Sequence, residues 1–392
     1  MRRRLGIVAA CLILLGIIVT AVVVTAPRSV GTGQTASPTA RAEAAMGAME
    51  SLFFHPVLGA AADRVPAQGW APFALARHGA SVWSYSWSLA GIEDVASLPG
   101  GSRYLGLVES ETNDLQRYWD GAAPVPAYAP GWFPGASATK YYDDNAWVGL
   151  DLVLAFHLTG KIVYLRRAEA VMRYEETGWD ASGGGIYWND QHLSRNTCSN
   201  APVAELAAYL YRVTNDPSYL AWAERIYAWE SQTLVDPSNG SVWDHIDPSG
   251  KINRALWTYN QGTVIGAGVL LYKLTGNTAD LAQAEKTAQF VLTHMVNANG
   301  VLVAQPQFNG VLVDNLQLLD QVTHNTAITQ LIEANAHVAW TRAQTPAGLF
   351  AKDWGGPAPT SGTVSLLTQG GAVRLLAVAA SLQTGGFQGL WL

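Results

Sequence analysis

The sequence predicts an all-α domain that follows a short N-terminal export segment. Apolar residues recur at helical spacing over most of the chain, and the alternation typical of half-buried strands is nearly absent. Twelve helical stretches can be distinguished after the N-terminal segment. Within them a helix–turn–helix pattern repeats, which is typical of helical hairpins stacked in an array. These three observations together favour a fold built from paired helices.

Residues 1–27 predict an export signal or a membrane anchor. Three arginines precede an uncharged apolar run from Leu5 to Ala26, which is 22 residues long. This length is compatible with a signal peptide and is also enough to span a bilayer. Cleavage after Ala26 and retention as an anchor both stay open, although Pro27 disfavours cleavage. In either case the arginines are expected to keep the rest of the chain outside the cytoplasm.

Residues 28–39 are rich in Ser, Thr, Gly and Pro and predict a flexible tether, so that one domain is expected over residues 40–392. Charged residues make up only 14% of the chain and the net charge is −6, which argues against a nucleic-acid partner. The only two cysteines are Cys11, in the apolar run, and Cys198, so no intramolecular disulfide is expected.

The helical pattern divides the domain into segments of ordinary helix length. The predicted helices cover residues 40–54, 81–98, 102–119, 143–159, 161–177, 200–214, 218–235, 260–275, 278–296, 309–322, 325–344 and 362–380.

An internal repeat predicts how these helices are paired. Three of them end at Gly160, Asn215 or Gly276, and after each a short turn leads into a second helix. An Ala-Glu pair recurs in the second helices at intervals of 55 and 61 residues, the scale of a helical hairpin. An open superhelical array and a closed toroid both fit this repeat, and six hairpins from twelve helices favour closure.

The stretch from Lys140 to Asp151 carries the strongest functional signal. Asp143 and Asp144 stand side by side where an aromatic loop turns into an apolar helix. An aspartate at a helix start often serves only as a cap, which accounts for one of the two carboxyl groups but not for both. Two carboxyl groups next to aromatic rings suit hydrolysis of a glycosidic bond, in which one acts as nucleophile and the other as acid and base.

The segment YYDDNAWVGLDL, from Tyr141 to Leu152, resembles the catalytic segment of glycoside hydrolase family 76, the family of bacterial endo-α-1,6-mannanases. Further segments resemble that family in the same order. They are Gly183–Asp190, Ser199–Tyr211 and Trp257–Gly276. The resemblance extends from about residue 40 to near the C-terminus and implies an (α/α)6 barrel, that is, a toroid of six helical hairpins.

The resemblance implies a retaining endo-glycosidase that hydrolyses α-1,6-linked mannan, with Asp143 as the nucleophile and Asp144 as the acid/base. Two alternatives stay open: a transglycosylase on α-mannan, and a non-catalytic glycan-binding protein of the cell envelope. One position departs from the family, because relatives often carry a basic residue where this chain has Asp314.

Substrate-binding residues are predicted in the same segments, since aromatic faces stack on sugar rings and amides bind vicinal hydroxyl groups. The predicted binding residues are Tyr142, Asn145, Trp188, Asn200, Tyr259, Asn260, Gln261 and Trp354. Trp83 and Trp87 share one helix face and predict either a core stripe or a sugar platform. The glycines at 183–185 permit a close backbone approach.

Neither a metal ion nor a cofactor is expected. The eight histidines are scattered, and no HExxH or CxxC motif occurs. The expected partner is therefore an α-mannan polysaccharide or oligosaccharide, bound by an exported monomer that contacts a membrane only through its N-terminal segment.

Overall fold

The computed structural model describes residues 36–55, 60–69, 79–132, 139–303 and 305–384. The predicted signal or anchor at 1–27, and most of the predicted tether, therefore lie outside the described residues. Within the described part, no helix is both long and apolar enough to cross a membrane. The first helix begins at Pro38, two residues before the predicted domain start, because Ser37 caps it by accepting a hydrogen bond from the Ala40 amide at 3.2 Å.

The described residues form twelve α-helices, as the sequence predicts. They are α1 (Pro38–Phe53), α2 (Val82–Ala96), α3 (Leu105–Asp114), α4 (Tyr142–Thr159), α5 (Ile162–Thr177), α6 (Thr197–Thr214), α7 (Pro217–Thr233), α8 (Thr258–Thr275), α9 (Thr278–His294), α10 (Pro306–Thr323), α11 (Thr326–Val338) and α12 (Leu366–Thr384). The third predicted helix is shorter than expected, because 3-10 turns at Gly101–Tyr104 and Leu115–Tyr118 flank α3.

Short antiparallel strands of two or three residues lie in the connections. They are β1 (Phe54–His55), β2 (Ala60–Ala61), β3 (Arg64–Pro66), β4 (Trp119–Asp120), β5 (Ala127–Tyr128), β6 (Arg195–Asn196), β7 (His245–Ile246), β8 (Ile252–Asn253) and β9 (Thr363–Ser365). Strand β7 pairs with both β6 and β8, which joins the connection before α6 to the connection before α8.

The helices close into a toroid, which confirms the predicted (α/α)6 barrel. The even-numbered helices form an inner ring in which each packs on the next, and α12 packs on α2 to complete the circle. The odd-numbered helices lie outside, each against an inner helix, and α1 pairs with α12. Strand β3 pairs with β9 and adds a second link between the two ends of the domain.

The tight turns predicted from the repeat lie at the C-terminal ends of the inner helices. Gly160, Asn215 and Gly276 end α4, α6 and α8 with φ values of 70°, 59° and 77°. This left-handed conformation is accessible to Gly and tolerated by Asn. A fourth hairpin turns at His324, with φ 51°. The sequence did not predict this turn, because the other three were identified by Gly or Asn. The long connections consequently meet at the N-terminal ends of the inner helices.

The inner ring encloses a cluster of buried charges below that end. Arg374 on α12 makes ion pairs with Asp314, and with Asp94 at 3.5 Å. Burial raises the pKa of the surrounding carboxyl groups, to about 6 for Asp314 and about 7 for Asp151. Arg374 therefore provides positive charge beside Asp314. The remaining carboxyl groups influenced by Arg374 are Glu93 and Glu205.

Candidate active site

The N-terminal ends of the inner helices surround a cavity of about 680 Å³, within the usual range for ligand sites. Its walls are mainly aromatic, and three carboxyl groups face it. The lining residues are Ser81, Trp83, Tyr141, Asp143, Asp144, Trp147, Trp188, Leu193, Ser194, Asn196, Cys198, Asp244, His245, Trp257, Tyr259 and Phe308. The structure thus brings Asp143, Asp144, Trp188 and Tyr259 together, as expected for one site.

Asp143 and Asp144 are the second and third residues of α4, and neither is its N-cap. The N-cap position belongs to Tyr141, whose side chain makes no capping bond. The connection after α5 holds the entrance of α4 instead, because the Tyr142 amide donates to the Trp188 carbonyl at 3.0 Å. Capping therefore does not explain why two carboxyl groups stand here.

Hydrogen bonds hold the Asp143 carboxyl group on both of its oxygens. Oδ1 accepts from the Asp144 amide at 3.0 Å, while Oδ2 accepts from Trp188 Nε1 at 3.1 Å and from Cys198 Sγ at 3.4 Å. Burial raises the pKa of Asp143 to about 6, and these donors oppose the rise by stabilising the ionised form. Asp143 is therefore mainly ionised at neutral pH.

The Asp144 carboxyl group has a different environment. Burial first, and then the charge of Asp143, raise the pKa of Asp144 well above the ordinary value for an aspartate. Among the described side chains, none donates a hydrogen bond to the Asp144 carboxyl group as Trp188 and Cys198 do to Asp143. The pair can therefore hold one ionised and one protonated carboxyl group, which is the state that retaining glycoside hydrolysis needs.

A third carboxyl group, that of Asp244, faces the cavity, although Asp244 is not among the predicted site residues. Asp244 Oδ2 lies 2.8 Å from Nδ1 of His245, and Asp244 Oδ1 accepts from Asn260 Nδ2 at 3.5 Å. The pairing of β7 with its neighbours brings this dyad to the cavity, a long-range contact with no local sequence signal. Asp247, by contrast, closes a turn by accepting from the amides of Ser249 and Lys251.

The structure corrects the predicted sugar contacts of three amides. Asn145, Asn200 and Gln261 are fully buried and do not line the cavity. The side-chain amide of each instead accepts a hydrogen bond from the backbone N–H of one residue in a connection and donates one to the backbone carbonyl of the same residue. The residues held in this way are Tyr128, Ile186 and Val242 respectively. We call the side chains of Asn145, Asn200 and Gln261 the loop clamps.

Three other predicted contacts also lie outside the cavity lining. Trp354 is fully buried in the core, and Tyr142 stacks on Tyr174 with ring centroids 4.6 Å apart. Asn260 is buried behind Asp244, so its contribution to the site is the hydrogen bond to that carboxyl group. The aromatic character of Tyr142 and Trp354 serves the core, which sequence reasoning could not separate from a sugar platform.

The sequence left two interpretations of Trp83 and Trp87 open, a core stripe and a sugar platform, and the structure places the two side chains differently. Trp83 lines the cavity, whereas Trp87 is buried and packs edge-on against Trp147 at 4.8 Å. The glycines at 183–185 approach a protein side chain closely, because a Cβ atom at Gly185 would meet the Trp229 ring at 2.5 Å. Further aromatic walls come from Trp257 and Phe308, neither of which was selected from the sequence.

Among the described residues, no group of three or more His, Cys, Asp and Glu side chains is arranged to hold a metal ion. The polar groups that line the cavity include three carboxyl groups, the His245 imidazole and the Trp188 indole N–H.

A helical toroid whose aromatic cavity holds two carboxyl groups of unequal acidity has the features of a carbohydrate-active protein. Comparison with known sequences identifies the group more closely. The chain belongs to glycosyl hydrolase family 76, whose family model matches residues 95–382.

Two yeast relatives resemble parts of the chain. The mannan endo-1,6-alpha-mannosidase DCW1 of Candida glabrata is 31% identical over 194 residues, which cover 44% of this chain and 42% of the relative. The protein of the same name from Saccharomyces cerevisiae is 32% identical over 161 residues, or 36% of this chain and 35% of the relative. The matches thus span less than half the length of these curated relatives.

Solved structures match over most of the chain. The GH76A alpha-1,6-mannanase from Salegentibacter sp. HEL1_6 has a TM-score of 0.76 and 28% identity, covering 88% of this chain and 100% of that one. An inactive variant of the same enzyme, with two neighbouring aspartates replaced by asparagine, has been solved in complex with alpha-1,6-mannotriose. A GH76 alpha-mannanase from Bacteroides thetaiotaomicron, at 20% identity and a TM-score of 0.80, shares the fold.

Proposed function

We propose that this protein is a retaining endo-glycosidase that hydrolyses α-1,6-mannosidic linkages in mannan-type polysaccharide. The observation that carries the proposal is the pair of adjacent carboxyl groups in the cavity, of which Asp143 accepts hydrogen bonds from Trp188 and Cys198, while burial and the charge of Asp143 raise the pKa of Asp144. The names of the yeast relatives and of the Salegentibacter structures support the same substrate class.

In the first step, the Asp143 carboxylate attacks the anomeric carbon while Asp144 donates its proton to the departing glycosidic oxygen. The product of this step is a mannosyl ester on Asp143. Esterification removes the charge of Asp143, one of the two causes that raise the pKa of Asp144. Asp144 is then better able to stay ionised and to act as a base.

In the second step, the Asp144 carboxylate takes a proton from water as the water oxygen attacks the anomeric carbon. The ester bond to Asp143 breaks, and the mannan fragment that it held is released with its original anomeric configuration. The aromatic walls would orient the sugar rings on either side of the bond that is cleaved.

The test is product analysis with the full chain and linear α-1,6-mannan, comparing wild type with Asp143→Asn and Asp144→Asn. We expect mannose oligosaccharides from wild type and a loss of several orders of magnitude in rate for each variant. The matched control is Asp216→Asn. Asp216 is an N-cap that accepts from the Ser218 amide at 2.9 Å, and it lies at a tight turn on the opposite end of the toroid.

The control separates a catalytic carboxyl group from a capping one. Asp216→Asn should change stability by at most about 1 kcal/mol and leave the rate unchanged. Absence of cleavage by folded wild type would refute the hydrolase. Products longer than the substrate would instead indicate transfer to a sugar acceptor, and binding without turnover would indicate a glycan-binding protein.

We further propose that the N-terminal segment exports the domain, which acts as a monomer outside the cytoplasm. The basic start and the apolar run of residues 5–26 support export. Expression in a bacterial host, followed by fractionation and N-terminal sequencing, distinguishes a cleaved signal from an anchor. Size-exclusion chromatography tests the monomer, and retention of an intact N-terminus in the cytoplasm would refute export.

A further inference from the structure

We propose that the thiol of Cys198 is a positioning residue that donates a hydrogen bond to Asp143 and holds its carboxylate in the orientation for attack. The inference rests on the proposed hydrolase function, because the orientation matters only if Asp143 reacts with sugar. Cysteine would then contribute a protonated donor to the site and would not itself act as a nucleophile.

The geometry around Asp143 supports this role. Cys198 Sγ lies 3.4 Å from Asp143 Oδ2, the oxygen that also accepts from Trp188 Nε1 at 3.1 Å. Sulfur hydrogen bonds are longer than those of oxygen, so this separation is compatible with an S–H donor. With two donors on Oδ2 and the Asp144 amide on Oδ1, three contacts from different parts of the chain fix the plane of the carboxylate.

The contact between Cys198 and Asp143 joins equivalent positions of neighbouring inner helices. Asp143, Cys198 and Tyr259 are each the second residue of an inner helix, α4, α6 and α8 respectively. Their side chains therefore meet at the same level of the cavity. Tyr259 lies beside the thiol and acts to lower its pKa, whereas the hydrogen bond of the thiol goes to Asp143.

The surroundings also keep the thiol protonated. Cys198 is only 3% exposed, and burial together with the nearby charge of Asp143 raises its pKa well above the ordinary value. A thiolate next to Asp143 would repel the carboxylate, whereas a thiol stabilises it. The same burial makes Cys198 a poor nucleophile, which agrees with a positioning role.

The kinetic test compares Cys198→Ala and Cys198→Ser by the pH dependence of kcat/KM on α-1,6-mannan. Loss of the donor in Cys198→Ala should move the acid limb upward by roughly half a pH unit or more, since the ionised Asp143 is less stabilised. Cys198→Ser keeps a hydroxyl donor and should restore the wild-type limb. Trp188→Phe removes the other donor on the same oxygen and should shift the limb in the same direction.

Two results would overturn the inference. The first is an acid limb of Cys198→Ala that coincides with that of wild type. The second is a Cys198→Ser variant that behaves like Cys198→Ala, which would mean that the sulfur serves only packing. A lower rate with an unchanged pH profile would likewise indicate a structural role.

A spectroscopic readout separates this inference from the proposed function. The full chain with Cys11→Ser contains Cys198 as its single thiol, because the sequence has two cysteines. The S–H Raman band should lie at a hydrogen-bonded frequency above about pH 6, where Asp143 ionises, and should move toward that of a free thiol when Asp143→Ala is added. A bonded band in a protein inactive on mannan would refute the hydrolase alone. An unbonded band in an active enzyme would refute the role of Cys198 alone.

Discussion

At the scale of single residues, environment makes two chemically identical side chains different. Asp143 accepts hydrogen bonds from a tryptophan, a cysteine and a backbone amide, whereas the Asp144 carboxyl group is subject to burial and to the charge of its neighbour. The proposed division of roles between nucleophile and acid is supported by these donors on Asp143. The two side-chain donors come from the loop after α5 and from the start of α6, far from α4 in sequence.

The first prediction concerns pH. Asp143 must be ionised to attack, and its pKa is raised to about 6. We therefore expect kcat/KM to decrease below about pH 6, with a slope that approaches a tenfold decrease per pH unit. Asp144 must be protonated, and its pKa is raised, so activity should persist above the ordinary pKa of an aspartate. Steady-state rates from pH 4 to 8 measure the profile. Its two apparent pKa values describe the interacting pair of aspartates and not either residue alone. A flat profile down to pH 4 would contradict the assignment.

The second prediction concerns the aromatic wall. Trp257 is 37% exposed, lines the cavity and packs on Phe308 with ring centroids 5.4 Å apart. Trp257→Ala should remove a stacking surface and raise KM by about tenfold with little change in kcat, as expected for uniform binding. The neighbouring Leu256→Ala is the control, since Leu256 is exposed but does not line the cavity. An unchanged KM would exclude stacking at Trp257.

At the scale of elements, the inner helices hold the loops that shape the site. Each loop clamp is the fourth residue of its helix and binds a backbone segment of the preceding connection. Gln369, the fourth residue of α12, binds Phe350 and Gly348 in the same manner. The sequence showed these amides beside aromatic residues, a pattern equally compatible with sugar binding. Only the path of the loops shows that the partners are backbone groups.

The third prediction tests a loop clamp. Asn200→Ala would leave the buried amide and carbonyl of Ile186 without their side-chain partner, and should lower the free energy of unfolding by about 2–4 kcal/mol. Urea denaturation measures the change. Asn299→Ala is the control, because Asn299 is exposed in a turn and should have an effect near zero. Equal stabilities of the two variants would contradict the structural role.

At the scale of the whole molecule, closure of the ring surrounds charged groups with protein. The pKa values of the carboxyl groups around Arg374 are raised in the folded state, so they contribute stability below about pH 4. That contribution is lost as pH rises through their folded values, which are about 6 for Asp314 and about 7 for Asp151. The free energy of unfolding from these groups should therefore decline between pH 4 and 7.

The fourth prediction removes the cation of this cluster. Arg374→Gln should lower the free energy of unfolding by about 3–5 kcal/mol at pH 7, because ionised carboxyl groups are left buried without a counter-charge. At pH 5 the loss should be smaller, since Asp314 and Asp151 are then mainly protonated in the folded state. Thermal unfolding at both pH values checks this. Arg342→Gln, at an exposed position, should show no such dependence.

Local patterns determined much of this protein. Apolar periodicity predicted twelve helices, and left-handed Gly or Asn positions predicted three of the hairpin turns, because both signals depend on neighbours within one or two turns of helix. The adjacent aspartates marked the site for the same reason. These features needed no knowledge of the ring.

Tertiary structure alone decided which aromatic and amide residues face the cavity. Trp354 and Tyr142 pack in the core, the loop clamps bind backbone, and Trp257, Phe308 and the Asp244–His245 dyad line the cavity. Aromatic rings and amides have the same chemistry in a core and in a binding site. Their exposure depends on contacts between segments distant in sequence, which form only when the toroid closes.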